Sequence, residues 1–195
     1  MKRIAALRVL CIDDGAFKST WGGFAMVPSA SMTVLRKIGL YVDDDRGELD
    51  ARQLVFDQCW VDDAGPDDVL ERCPNVETVI ISETKDLNLL TTVENLPSSI
   101  RHVHILHDEV DLDDVAIPYP SPNDRLVLSQ LESFTFTLLP DKEDPRSAED
   151  DAQALGDLKQ AVSSHVDAPQ CTFRYLRSTK SPEDELADAM AALKL

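Results

Sequence analysis

The chain has 195 residues, a hydrophobic content of 43% and a formal net charge of −17. This length and apolar content are sufficient for one folded domain with a proper core, and they exclude an intrinsically disordered chain. The negative charge disfavours nucleic acid and anionic membranes as partners, because phosphate groups are bound by clustered lysine and arginine side chains.

Alternating apolar residues predict two strands in the first part of the chain. The first strand covers residues 4–12 and the second covers residues 34–42, whereas residues 16–33 between them lack a clear periodicity. In this interpretation the residues that point into the core are Leu7, Leu10, Ile12, Leu35, Ile38 and Leu40.

The segment from Leu49 to Ser82 predicts strand, loop, short helix and strand. Its strands cover residues 52–57 and 76–82, and each has the period-two alternation of a strand. Pro66 opens the helix, because proline suits the first helical turn and the acidic residues after it suit the positive helix end. The inward residues of this segment are Leu54, Phe56, Val69, Leu70, Val79 and Ile81.

The remaining chain predicts further strands and helices in alternation. A helix over residues 87–96 ends at a proline, and strands follow around residues 100–105 and 131–136. A last strand covers residues 171–176. Two helices begin with capping boxes, in which a serine is followed three residues later by an aspartate. These pairs are Ser147 with Asp150 and Ser181 with Asp184.

A strand followed by a helix, repeated at 20 to 30 residues, is typical of leucine-rich repeats. Leu54-x-Phe56-x-x-Cys59 fits the L-x-L-x-x-N/C core of these repeats. With the phrases CPNVETVIIS and LPSSIRHVHIL, residues 49–137 resemble the leucine-rich repeats of F-box-type substrate receptors. The resemblance implies an α/β solenoid with a curved parallel sheet. It would form one irregular domain over residues 1–195, with a strand and a helix in 147–195 covering its open end.

The repeat is irregular at its beginning. The aligned inward residues predict spacings of 28, 16, 25, 24 and 31 residues, for the series Leu10, Ile38, Leu54, Val79, Val103 and Phe134. In the two repeats after Cys59, Thr84 and Asp108 take its position. By resemblance, we expect polar side chains there to hydrogen-bond the loop backbone, as the family's asparagine does.

The resemblance further implies binding of a protein partner without catalysis. Family members use such repeats to hold substrates for a cullin-based ubiquitin ligase, but an F-box is not visible in this sequence. The predicted concave face carries little charge, which is typical of an interface core, although a packed parallel sheet also favours such residues. The candidate partner-binding residues are Lys37, Gln53, Val55, Thr78, Ile80, His102, His104, Ser133 and Thr135.

A small metal-dependent α/β enzyme is the alternative interpretation. Parallel sheets place their sites at the carboxyl ends of strands, where this chain has Asp13, Asp14, Asp57 and Asp108. The enzyme predicts a reversal of strand order and acidic residues that converge in one cleft. The solenoid predicts strands in sequence order.

Other cofactor chemistry is not indicated by the sequence. The four cysteines form no C-x-x-C pair, so neither a zinc site nor a redox motif is predicted. His102 and His104 stand on one face of a strand, but surface histidines are a better explanation than a metal pair without further ligands. No segment reads as a secretory signal or a membrane span. We therefore expect no cofactor and a cytoplasmic or nuclear location.

Overall fold

The structure is a computed structural model that describes residues 7–13, 30–37, 39–40, 51–61, 66–71, 73–84, 89–94, 96–110, 126–141 and 146–192. The strands are β1 (Leu7–Asp13), β2 (Ala30–Arg36), β3 (Gly39–Leu40), β4 (Ala51–Asp57), β5 (Trp60–Val61), β6 (Thr78–Ser82), β7 (His102–His107), β8 (Leu126–Val127), β9 (Ser133–Leu138), β10 (Val166–Asp167) and β11 (Thr172–Arg177). The helices are α1 (Pro66–Glu71), α2 (Leu89–Glu94), α3 (Ala148–His165) and α4 (Pro182–Ala192).

One seven-stranded sheet organises these elements. Its strand order is β1-β2-β4-β6-β7-β9-β11, which is the order of the strands in the sequence, and every pairing is parallel. Two small parallel pairs, β3 with β5 and β10 with β8, lie outside it. The expected α/β class with a parallel sheet is therefore confirmed, and the sheet contains no reversal of strand order.

The strand register corrects the predicted start of the repeat. Residue 33, and not Ile38, is aligned with Leu10 and Leu54, because β2 lies earlier in the chain than the predicted strand over residues 34–42. The aligned positions Thr33, Leu54, Val79 and Val103 are separated by 21, 25 and 24 residues. The spacing of 16 is thus wrong. Ile38 itself lies outside the described residues.

Three helices pack on one face of the sheet, here called the back face. Its strand residues are fully or almost fully buried, as the period-two pattern predicts. They form one cluster with Val69 and Leu70 of α1, Val93 of α2 and Leu158 of α3. The back-face strand residues are Leu35, Leu54, Phe56, Val79, Ile81, Val103, Ile105, Phe134, Phe136 and Leu138.

Helix α3 begins at its predicted capping box. The Ser147 hydroxyl accepts a hydrogen bond from the backbone N–H of Asp150, whose carboxylate accepts one from the Ser147 backbone N–H. The buried Asp151 carboxylate then accepts hydrogen bonds from Nε of Arg146 at 2.9 Å and from Nε of Arg177 at 2.6 Å. These contacts connect the first turn of α3 to the end of β11.

Equivalent turns follow the strands β2, β4 and β6. Lys37, Gln58 and Glu83 each come directly after the strand and have φ values of 51°, 52° and 45°. Next to the second turn, the Cys59 thiol donates a hydrogen bond to the Leu35 carbonyl oxygen in β2 at 3.4 Å. The expected side-chain bond to the backbone is therefore made at Cys59. The buried Thr84 hydroxyl does not make it, and has no partner among the described residues.

Candidate functional site

The front face of the sheet, opposite the back face, carries three rows of side chains that cross the strands in register. The first row contains Met32, Gln53, Thr78, His102, Ser133 and Thr172. The second contains Val34, Val55, Ile80, His104, Thr135 and Arg174. The third contains Arg36, Asp57, Ser82, Leu106, Thr137 and Leu176. Eight of the nine candidate residues lie in the first two rows.

Lys37 is the exception. It follows the last residue of β2, takes the left-handed conformation of the turn, and its backbone N–H donates to the Asp57 carbonyl oxygen. The sequence pattern placed Lys37 between two inward residues of a strand that begins too late. Its predicted position on the face of the sheet is therefore wrong.

Helix α4 covers part of the front face. The Ser181 hydroxyl accepts from the Asp184 backbone N–H at 3.2 Å, as the predicted cap requires. From there α4 runs over β6 and β7, so it does not cover the open end of the sheet as predicted. Its residues Leu186, Ala189 and Met190 pack against an apolar groove formed by Met32, Val34, Val55, Ile80, Leu106 and Leu139.

This helix removes two candidate residues from the surface. Val55 is fully buried and Ile80 is 1% exposed, so neither can contact a partner while α4 lies in the groove. Sequence reasoning recognised the apolar stripe of α4 but assigned it to the end of the sheet. The front-face residues of β2, which favour a second apolar layer, went unrecognised because the strand was placed too late.

Beyond the groove, a cavity of about 430 Å³ opens on the front face. Seven of the nine candidate residues line it, together with Glu77 and with Ala189 and Ala192 of α4. Its volume lies in the range of ordinary ligand pockets. The candidate residues in its lining are Gln53, Thr78, Ile80, His102, His104, Ser133 and Thr135.

Polar groups in this cavity are only partly engaged with one another. Nδ1 of His102 is hydrogen-bonded to the Ser133 hydroxyl at 2.9 Å, and Nε2 of His104 to the Thr137 hydroxyl at 3.1 Å. The hydroxyls of Thr78 and Thr135 make no side-chain hydrogen bond to another described residue. The cavity therefore offers unused donors and acceptors beside an apolar wall.

His104 is held neutral by its surroundings. Burial lowers its pKa from 6.5 to about 4, while the nearby Glu185 carboxylate of α4 acts in the opposite direction. The same carboxylate accepts a short hydrogen bond from the Ser178 hydroxyl. At neutral pH the imidazole is a hydrogen-bonding group without charge. The lining thus provides neutral polar side chains, with Glu77 as its charged member.

The arrangement required by the enzyme alternative is not found among the described residues. Asp57 accepts a hydrogen bond from Nε of Arg36, and the Asp108 carboxylate lies 3.4 Å from Nδ1 of His107. Strand β6 separates the strands that carry these two aspartates. In the part of the chain that the structure describes, no three histidine, cysteine or acidic side chains are grouped for a metal ion. Asp14 lies outside it.

Comparison with protein-family models, curated proteins and solved structures finds no significant match for this chain. Among the described helices, none is both long enough and apolar enough to span a membrane.

Proposed function

We propose that this protein is a leucine-rich-repeat-like interaction domain that binds a protein partner in the front-face cavity. The proposal includes no catalytic step and no cofactor. It keeps the sequence resemblance to the repeats of F-box-type substrate receptors, without assigning a ligase to this chain. The three described cysteines, Cys59, Cys73 and Cys171, are free thiols, which supports a reducing compartment such as the cytoplasm or the nucleus.

Three features support the repeat interpretation. The parallel strands follow the sequence order, as expected for stacked repeats whose neighbours contact only each other. The central register positions recur at 21 to 25 residues. A left-handed residue follows each of three strands, and the Cys59 thiol binds the backbone of the preceding strand. Together these features make each strand and turn a similar unit.

The cavity is the observation that carries the binding proposal. Candidate residues chosen by strand period alone come from β4, β6, β7 and β9 and converge on one enclosed surface. Side chains that only fill a packed sheet would leave no space between them. Here a cavity remains, and the hydroxyls of Thr78 and Thr135 face it without a hydrogen bond to another described residue. Buried polar groups are normally paired, so a bound segment would complete these hydrogen bonds.

The lining also indicates the chemistry of the partner. Glu77 lines the cavity, Glu132 binds Arg101 at 2.7 Å nearby, and the whole chain carries a charge of −17. An acidic segment would therefore be repelled. Neutral hydroxyl and imidazole groups instead fit the backbone and the polar side chains of an extended segment. A small apolar side chain of that segment would contact Ile80 and Ala189.

Replacement of a cavity hydroxyl by a carboxylate tests this function. We expect Thr78→Glu and Thr135→Glu to lose the partners that the wild-type protein captures from a cell extract, because each variant places a desolvated charge in the cavity. Thr172→Glu is the matched control, since Thr172 is exposed, lies in the first row and is not part of the lining.

Captured proteins would be compared by quantitative mass spectrometry, after circular dichroism has shown that all three variants are folded. If Thr78→Glu, Thr135→Glu and the control capture the same set as the wild type, the cavity is not the binding site.

A further inference from the structure

Helix α4 occupies its groove through a small set of contacts. Among its described residues only Pro182, Leu186 and Ala189 are buried, and Met190 is half-buried. Leu186, Ala189 and Met190 have the spacing i, i+3 and i+4, which places them on one helical face. The opposite face of α4 is acidic and exposed. The groove thus recognises one large apolar side chain, one small one and one flexible one.

The sheet does not depend on α4 for its principal core. The back-face cluster contains residues of α1, α2 and α3 but none of α4. The polar contacts of α4 are local: Lys180 binds Asp188 at 2.5 Å, and the Ser178 hydroxyl donates to Glu185. Loss of these contacts would expose the groove without opening the back-face core.

The groove and the cavity are continuous. Ile80 belongs to the apolar cluster under α4 and also lines the cavity, and Ala189 of α4 likewise contacts both. A partner segment that enters the cavity therefore meets the end of α4 at its small alanine residues. A helix placed where α4 lies would extend directly toward His102 and Ser133.

We infer that α4 is a resident ligand of a helix-binding groove, and that the partner supplies an amphipathic helix which replaces it. The partner helix has a leucine-sized residue, a small residue three positions later and an unbranched apolar residue after that. Flanking residues of the partner then occupy the cavity. This inference rests on the proposed function, since it identifies the class of segment that binds the same face.

A peptide with the sequence of residues 180–192 is a direct probe of the groove. We expect this fluorescein-labelled peptide to bind the full-length Leu186→Ala variant about ten-fold or more tightly than the wild-type protein, as judged by fluorescence anisotropy. The substitution weakens the resident helix and leaves the groove unchanged. A peptide that carries Leu186→Asp is the matched control, and it should bind neither protein.

Amide hydrogen exchange of the unmodified chain provides a second measurement that requires no variant. We expect the α4 amides to exchange faster than those of β6 and β7, because the helix opens without the sheet. Equal affinity of the peptide for both proteins, or exchange of α4 only together with β6 and β7, would overturn the inference. A dimer in which two copies exchange α4 would also overturn it, since the occupant would then be a second copy.

These outcomes are separable from those of the cavity variants. If Thr135→Glu loses partners but the peptide shows no preference for the Leu186→Ala variant, only the role of α4 fails. If the peptide binds as expected and the cavity variants retain all partners, the groove stands and the proposed cavity function fails.

Discussion

The two faces of the sheet use the same strands, but they are covered in different ways. The back face presents an uninterrupted series of large apolar residues from β2 to β9, and three helices bury it. The front face is apolar over β2, β4 and β6, where α4 packs, and polar over β7, β9 and β11. The back face therefore provides most of the hydrophobic stabilisation, and the front face has a surface that a partner can use.

The largest expected effect is on the back face. Phe134 is fully buried and its ring lies 5.7 Å from that of Phe173 and 6.2 Å from that of Tyr175. We expect Phe134→Ala to reduce the free energy of unfolding by about 3–5 kcal/mol, because it leaves a cavity among three aromatic rings. Urea denaturation followed by circular dichroism measures this loss. A loss below about 1 kcal/mol would contradict the view that this face holds the core.

An intermediate effect is expected under α4. Leu186→Ala removes the largest buried side chain of that helix, and should cost about 2 kcal/mol. The comparison with Phe134→Ala is informative because α4 can leave the sheet locally. Exchange of the α4 amides should accelerate more than that of the β6 amides. A uniform increase over both elements would mean that the two faces unfold as one unit.

The smallest effect at neutral pH concerns His104. Its pKa is about 4 in the folded protein and 6.5 ordinarily, because burial disfavours the charged ring. Between these values the unfolded chain binds more protons than the folded chain. The free energy of unfolding therefore decreases as the pH falls from about 6.5 to about 4, and the effect vanishes above that window.

His104→Gln should reduce this pH dependence, since glutamine retains a hydrogen-bonding group for Thr137 but does not titrate in that range. Urea midpoints at pH 7 and pH 5 provide the measurement, with His102→Gln as the control on the same strand. If both variants show the wild-type difference between the two pH values, the burial of His104 does not contribute to acid sensitivity.

Several features could be predicted because they depend on local chemistry. Period-two alternation identified β4, β6, β7 and β9 and their buried residues, and the capping box identified the start of α3. Strand β2 was placed too late, because its residues are apolar on both faces and show no alternation. Met32, Val34 and Leu35 are all buried, two of them by α4 and one by the back-face core.

The candidate site shows the same division. Strand period placed Thr78, His102 and Ser133 on one face, and the structure brings them to one cavity. The amphipathic stripe of α4 showed that the helix buries Leu186, but two apolar surfaces were available to it: the end of the sheet and its front face.

The sequence by itself thus determined the α/β class, the parallel strands with their inward residues, and the residues of one polar face. Only the tertiary structure decided that α4 folds back over that face, burying Val55 and Ile80 and leaving the cavity beside His104. The physical reason is that hydrophobic burial is not directional. An apolar stripe specifies that a helix must pack, whereas the surface it packs against depends on the side chains that β2, β4 and β6 present together.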